Sequence, residues 1–96
     1  MATISSDILA SYAADAAREV EGVENLVESS LHRHKGVRVL EEDGRICVEL
    51  HLAVAWGASI PTVGAAVQER VAGYLNRMAQ VKPDRVDVVV AAIGPP

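Results

Sequence analysis

Ninety-six residues, half of them apolar, make one core and not two. Aromatics are only 3%, with no Phe, so the core must be built from Val, Ala, Leu and Ile, and tight layers are expected rather than a roomy ligand pocket. A net charge of −4 with a pI near 5.2 removes the long-range attraction to phosphate that nucleic-acid binders normally use. The single cysteine, Cys47, excludes an internal disulfide. No Lys or Arg precedes Arg18, so no secretory leader is expected. No apolar run approaches the ~18 residues of a bilayer span, and the expected compartment is the cytoplasm.

Taken in order, Ser5-Ser6-Asp7 reads as a helix start. A serine hydroxyl can accept from a first-turn amide, and Asp7 suits the positive end of the helix dipole. Leu9, Tyr12, Ala13, Ala16, Ala17 and Val20 follow at helical spacing. This narrow, Ala-rich stripe predicts a helix over about residues 6–21 pressed close to a sheet, with Gly22 stopping it. Residues 23–28 read as a short extended segment and 29–36 as a polar loop. Residues 37–41 return to extended structure, and Glu42-Asp43-Gly44 forms a hairpin turn.

Residues 45–56 carry the strongest signal in the chain. Ile46, Val48, Leu50, Leu52, Val54 and Trp56 alternate with Arg45, Cys47, Glu49, His51, Ala53 and Ala55. Strict period-2 alternation is that of a strand with one buried and one wetter face. The run is twice the usual strand length of about 5–6 residues. It outruns its hairpin partner, so its far half needs another neighbour.

Ser59 and Pro61 open a second helix. Its buried face is expected to hold Ile60, Val63, Val67, Val71, Tyr74, Leu75 and Met78. Gly64 and Gly73 lower helix propensity by up to ~1 kcal/mol each, which close approach of a neighbouring backbone would offset. Tyr12 and Tyr74 are expected in helix-to-sheet packing. After the turn Lys82-Pro83-Asp84, residues 86–93 form a β-branched strand, apolar on both sides, suggesting a central position or an edge covered by a partner. The order α-β-β-β-α-β, with an antiparallel hairpin and a right-handed crossover, predicts an α+β two-layer sandwich. Its mixed sheet of about four strands carries both helices on one face.

Candidate chemistry is sparse. His32-Arg33-His34-Lys35 is the basic cluster of the chain. His-x-His spacing could present two imidazoles to a metal, with His51 as a third ligand from elsewhere; the plainer reading is a solvated loop, and another is a pH-sensitive patch for an acidic partner. Cys47, Glu49 and His51 share a strand face, but neighbours in such a row stand ~6.5–7 Å apart, which argues against direct hydrogen bonds, and nothing nearby reads as an oxyanion hole. No cofactor, metal or catalytic set is therefore expected. Trp56 reads as a cap on the core or a rim anchor for a partner. Gln68 flanks the stripe of the second helix, placed to bond a loop or to face a neighbouring subunit, with a plain surface role an equal alternative. Val89, in the last strand, lies on a surface suited to self-association. RNA binding through the loop around Lys35 is disfavoured by the missing GxxG loop, the missing aromatic strand face and the charge.

Several stretches resemble the bacterial alkaline-shock-protein family, also called the envelope stress response or general stress protein family. They are Ile4-Ser5 with Glu21-Gly22-Val23, Lys35-Gly36-Val37, the run Val48 to Val54, Trp56 to Pro61, Val67-Gln68-Glu69-Arg70-Val71 and the closing Val86-Asp87-Val88-Val89-Val90. The resemblance covers nearly the whole chain, with Trp56 standing where a tyrosine is usual. It implies a non-enzymatic cytoplasmic protein of envelope homeostasis. Such a protein self-associates and, in some relatives, is held by an integral-membrane partner; no catalytic residues carry over.

Overall fold

The computed structural model describes residues 5–28 and 36–96. Helix α1 spans Ser6–Arg18, and the Ser5 hydroxyl accepts from the Ile8 amide at 3.2 Å, as the capping signal predicts. Leu9, Ala10, Ala13, Ala14, Ala16 and Ala17 are buried. The helix ends three residues earlier than expected. The last turn tightens through Glu19 N–H to Ala16 O and Val20 N–H to Ala17 O, and Gly22, at φ +97°, instead turns the chain into the first strand.

Strand β1 is Val23–Leu26, β2 is Val37–Glu42, β3 is Arg45–Val54 and β4 is Arg85–Ile93. β2 and β3 form the predicted hairpin, from Glu42 opposite Arg45 to Val37 opposite Leu50. Its two-residue turn places Asp43 at φ +52° and Gly44 at φ +76°, the left-handed pair whose twist suits a hairpin. The overrun of β3 is met by β1, which pairs antiparallel with its far half, Val23 opposite Val54 and Leu26 opposite Leu52. β1 and β2 thus lie end to end along one edge of β3. β4 runs parallel along the other edge, with an extra residue between Val90 and Ala92. The sheet is mixed, and the order α-β-β-β-α-β holds. β4 is an edge strand, not a central one: among the described residues it pairs only with β3.

Helix α2, Ile60–Ala79, starts at Ser59, whose hydroxyl accepts from the Thr62 amide at 3.4 Å. Its buried residues are Val63, Val67, Val71 and Leu75. They pack with α1 over Val48, Leu50, Leu52 and Val54, the even-numbered face of β3. Ile60 and Met78 share the angular stripe but are exposed, because they stand at the two ends of the helix, outside the span from Val63 to Leu75. A Cβ added at Gly64 or Gly73 would meet nothing within 4 Å, so neither glycine serves a close approach. Tyr12 and Tyr74 are half-buried against the core and also meet each other, edge to face with centroids 5.8 Å apart. Arg70 adds an exposed ion pair to Glu19 across the same helix pair.

Candidate interaction site

With both helices on one side, the odd-numbered side chains of β3 face away from the core. Register brings Arg38 and Leu40 of β2 beside Glu49 and Cys47. From the other edge, Asp87 and Val89 of β4 come beside Glu49 and His51. Leu40 and Val89 are exposed hydrophobics, while Cys47, Glu49 and His51 are half-buried.

The Cys47-Glu49-His51 row is closer-knit than its backbone spacing suggested. His51 Nε2 donates to Glu49 Oε2 at 3.0 Å. The expectation failed because two long side chains on one face lean together, whatever the spacing of their Cα atoms. Among the described residues, no group of three or more His, Cys, Asp or Glu side chains could hold a metal ion. On the same face Arg85 Nε donates to Asp87 Oδ1 at 3.0 Å. That hydrogen bond, with the charge of Asp87, holds the Arg85 guanidinium above its ordinary pKa.

Trp56 does not cap the core. It follows the end of β3 and is 63% exposed. With Ile60 of α2 and Ile93 of β4 it rims a depression of about 230 Å³ that Val54, Ala55, Gly57 and Ala58 complete. Gln68 stands exposed on the flank of α2, and its Nε2 donates not to a loop but to the Val86 carbonyl at 2.9 Å, tying α2 to β4. Val89 stands on the open face of the edge strand, 39% exposed. His32, Arg33, His34 and Lys35 lie outside the described residues.

Sequence reasoning missed Ile93 and Leu40 as surface residues: Ile93 ends a run read as apolar on both sides, and Leu40 lies in a short extended stretch whose two faces the sequence does not distinguish. It also missed Asp84, read only as part of a turn. The Asp84 carboxylate accepts the Ile46 amide at 2.7 Å.

The profile of the alkaline-shock protein family, described as having a cell envelope-related function, matches residues 1–95. The chain belongs to the alkaline-shock protein family. This is the family whose resemblance the motifs carried. A relative is the Bacillus subtilis (strain 168) protein YqhY, 29% identical over 100 residues, covering 94% of this chain and 74% of that protein. Among solved structures, a zinc form of a MamM CTD variant matches with a TM-score of 0.67 at 17% identity, over 93% of this alkaline-shock-family chain and 87% of its own. A manganese form matches with a TM-score of 0.65 at 18% identity, over 90% and 96%. At these identities the likeness is one of fold, and it agrees with the α+β architecture of the alkaline-shock-family chain.

Proposed function

We propose that this chain is a non-enzymatic interaction protein of the cell envelope, one that self-associates and docks on a protein partner such as an integral-membrane anchor. The observation carrying this reading is where its exposed large apolar side chains lie. Leu40 and Val89 stand on the open sheet face, and Trp56, Ile60 and Ile93 cluster at the adjoining rim. Of the exposed large apolar side chains, Ile8 and Met78 stand apart on the helices, but the group of Trp56, Ile60 and Ile93 shares one depression; such a shared apolar patch marks a contact surface, and an exposed Trp beside it is a favoured anchor. The family's envelope-related description supports the setting. Among the described residues no helix is long and apolar enough to cross a membrane, which fits attachment through a partner.

The test is affinity purification of the tagged full chain from membrane and soluble fractions, beside Trp56→Ala and Val89→Asp. A discrete partner recovered by the wild type and lost by Trp56→Ala is the expected result. A strictly monomeric mass, with no protein recovered from either fraction, overturns the reading.

A second reading is favoured by the Glu49–His51 pair: two neighbouring side chains that could contribute to a divalent-metal site, with His32 and His34, outside the described residues, as the sequence's other candidate imidazoles. The MamM CTD structures include zinc, manganese and nickel forms. A ligand that binds only the folded state raises its melting temperature. No rise with zinc, nickel or copper, or an equal rise in His51→Ala, ends this reading.

A further inference from the structure

We propose that β4 pairs edge to edge with β4 of a second copy, antiparallel about Val89, so that two sheets join into one. This rests on the self-association in the proposed function and names the surface that performs it.

The backbone sets the requirement. The His51 amide donates to the Gly36 carbonyl, and the His51 carbonyl accepts from the Val27 amide, both away from β4. Alternation then turns the even-numbered residues of β3 toward β4. In a parallel pair, a residue that bonds its partner strand reaches the two neighbours of the residue opposite it, not that residue itself. With Val48, Leu50 and Leu52 opposite Val86, Val88 and Val90, those three valines turn their backbone groups toward the free edge. The Val86 carbonyl, which Gln68 reaches from α2, fits that direction. Among the described residues, no side chain caps Val88 or Val90. Such a row of donors and acceptors is matched by another extended backbone. Native edges are usually blunted by Lys, Pro or a bulge. β4 has neither Lys nor Pro, and its bulge comes late, between Val90 and Ala92.

Occupant and register follow from what remains open. With Gln68 on the Val86 carbonyl and the bulge displacing the strand after Val90, the regular open stretch is that of Val88 and Val90, and the two-fold axis that pairs them with their copies passes Val89. Val88 then bonds Val90 of the second copy, twice over, and Val89 faces Val89. Asp87 comes opposite Ala91, so no like charges face one another, and each Arg85–Asp87 pair stays within its own copy. A register centred on Val88 would instead set the exposed Val89 against Asp87. Val89 points its backbone toward β3, so on the new edge it forms a non-hydrogen-bonded pair, in which side chains approach most closely, with Cα atoms about 4.5 Å apart.

Sedimentation of the full chain at about 100 µM, where a small interface is populated, tests this with Val89→Asp, Val89→Lys and their equimolar mixture. The wild type is expected to dimerise with rising concentration. Each variant, verified as folded by circular dichroism, weakens the dimer by about tenfold, because like charges then sit directly opposite. The mixture restores a dimer, because Asp then faces Lys. Wild-type strength in both single variants places the dimer elsewhere, sinking this edge pairing while leaving self-association intact. Folded variants that fail to recover on mixing overturn the register about Val89. A wild type that stays monomeric removes both this pairing and the self-association it rests on.

Discussion

Asp84 and Ile46 bond to each other twice. The Asp84 carboxylate accepts the Ile46 amide at 2.7 Å, and the Asp84 amide donates to the Ile46 carbonyl at 2.7 Å. The two bonds fix where β4 begins against β3.

Asp84→Ala removes the carboxylate half of this clamp. A hydrogen bond to a charged acceptor contributes about 1.5–3 kcal/mol, and the exposed position puts Asp84 near the lower figure. Urea unfolding should show a loss of about 1.5 kcal/mol, with Asp84→Asn recovering part of it. Equal midpoints for Asp84→Ala and the wild type would mean the carboxylate has no structural role.

Glycines separate into two kinds. At Gly22 a Cβ would stand 2.6 Å from Val63 Cγ2, at φ +97°. Gly22→Ala should therefore cost about 2 kcal/mol or more through strain and clash. Gly73 lies within α2 with open space around it, and Gly73→Ala should gain about 0.5–1 kcal/mol. Thermal melts of the two variants should move in opposite directions; a shift of the same sign in both would refute the distinction.

Leu50 is fully buried at the centre of β3. Leu50→Ala is expected to lose about 2–5 kcal/mol, a large share of the roughly 5–15 kcal/mol by which a domain is stable. Leu40→Ala, on the open face, should lose about 1 kcal/mol or less. Denaturant midpoints decide, and comparable losses at both positions would mean that the open face is packed rather than open.

The period-2 pattern of β3 was legible because one face is wholly aliphatic, and the need for a second neighbour was legible from its length alone. The position of β4 was harder. Its valine run reads as covered on both sides, yet Val86, Val88 and Val90 line the core side while Val89 faces outward; composition is blind to which side of a strand lacks a layer. Helical periodicity placed Val63, Val67, Val71 and Leu75 correctly and failed at Ile60 and Met78, since angle alone does not say where a helix overhangs what it packs on. Trp56 was ambiguous for a similar reason: its parity belongs to the core face, but the strand ends at Val54. The Glu49–His51 contact depends on side-chain reach, which residue spacing along a strand does not carry.

β3 borders every other strand of the sheet. Neither β1 nor β2 nor β4 keeps a hydrogen-bonded neighbour if it detaches, so no stable half-domain is available as a resting point. Loss of the fold is therefore expected to be all-or-none, and a proteolytic nick within residues 46–54 should release the whole chain to digestion rather than a protected fragment.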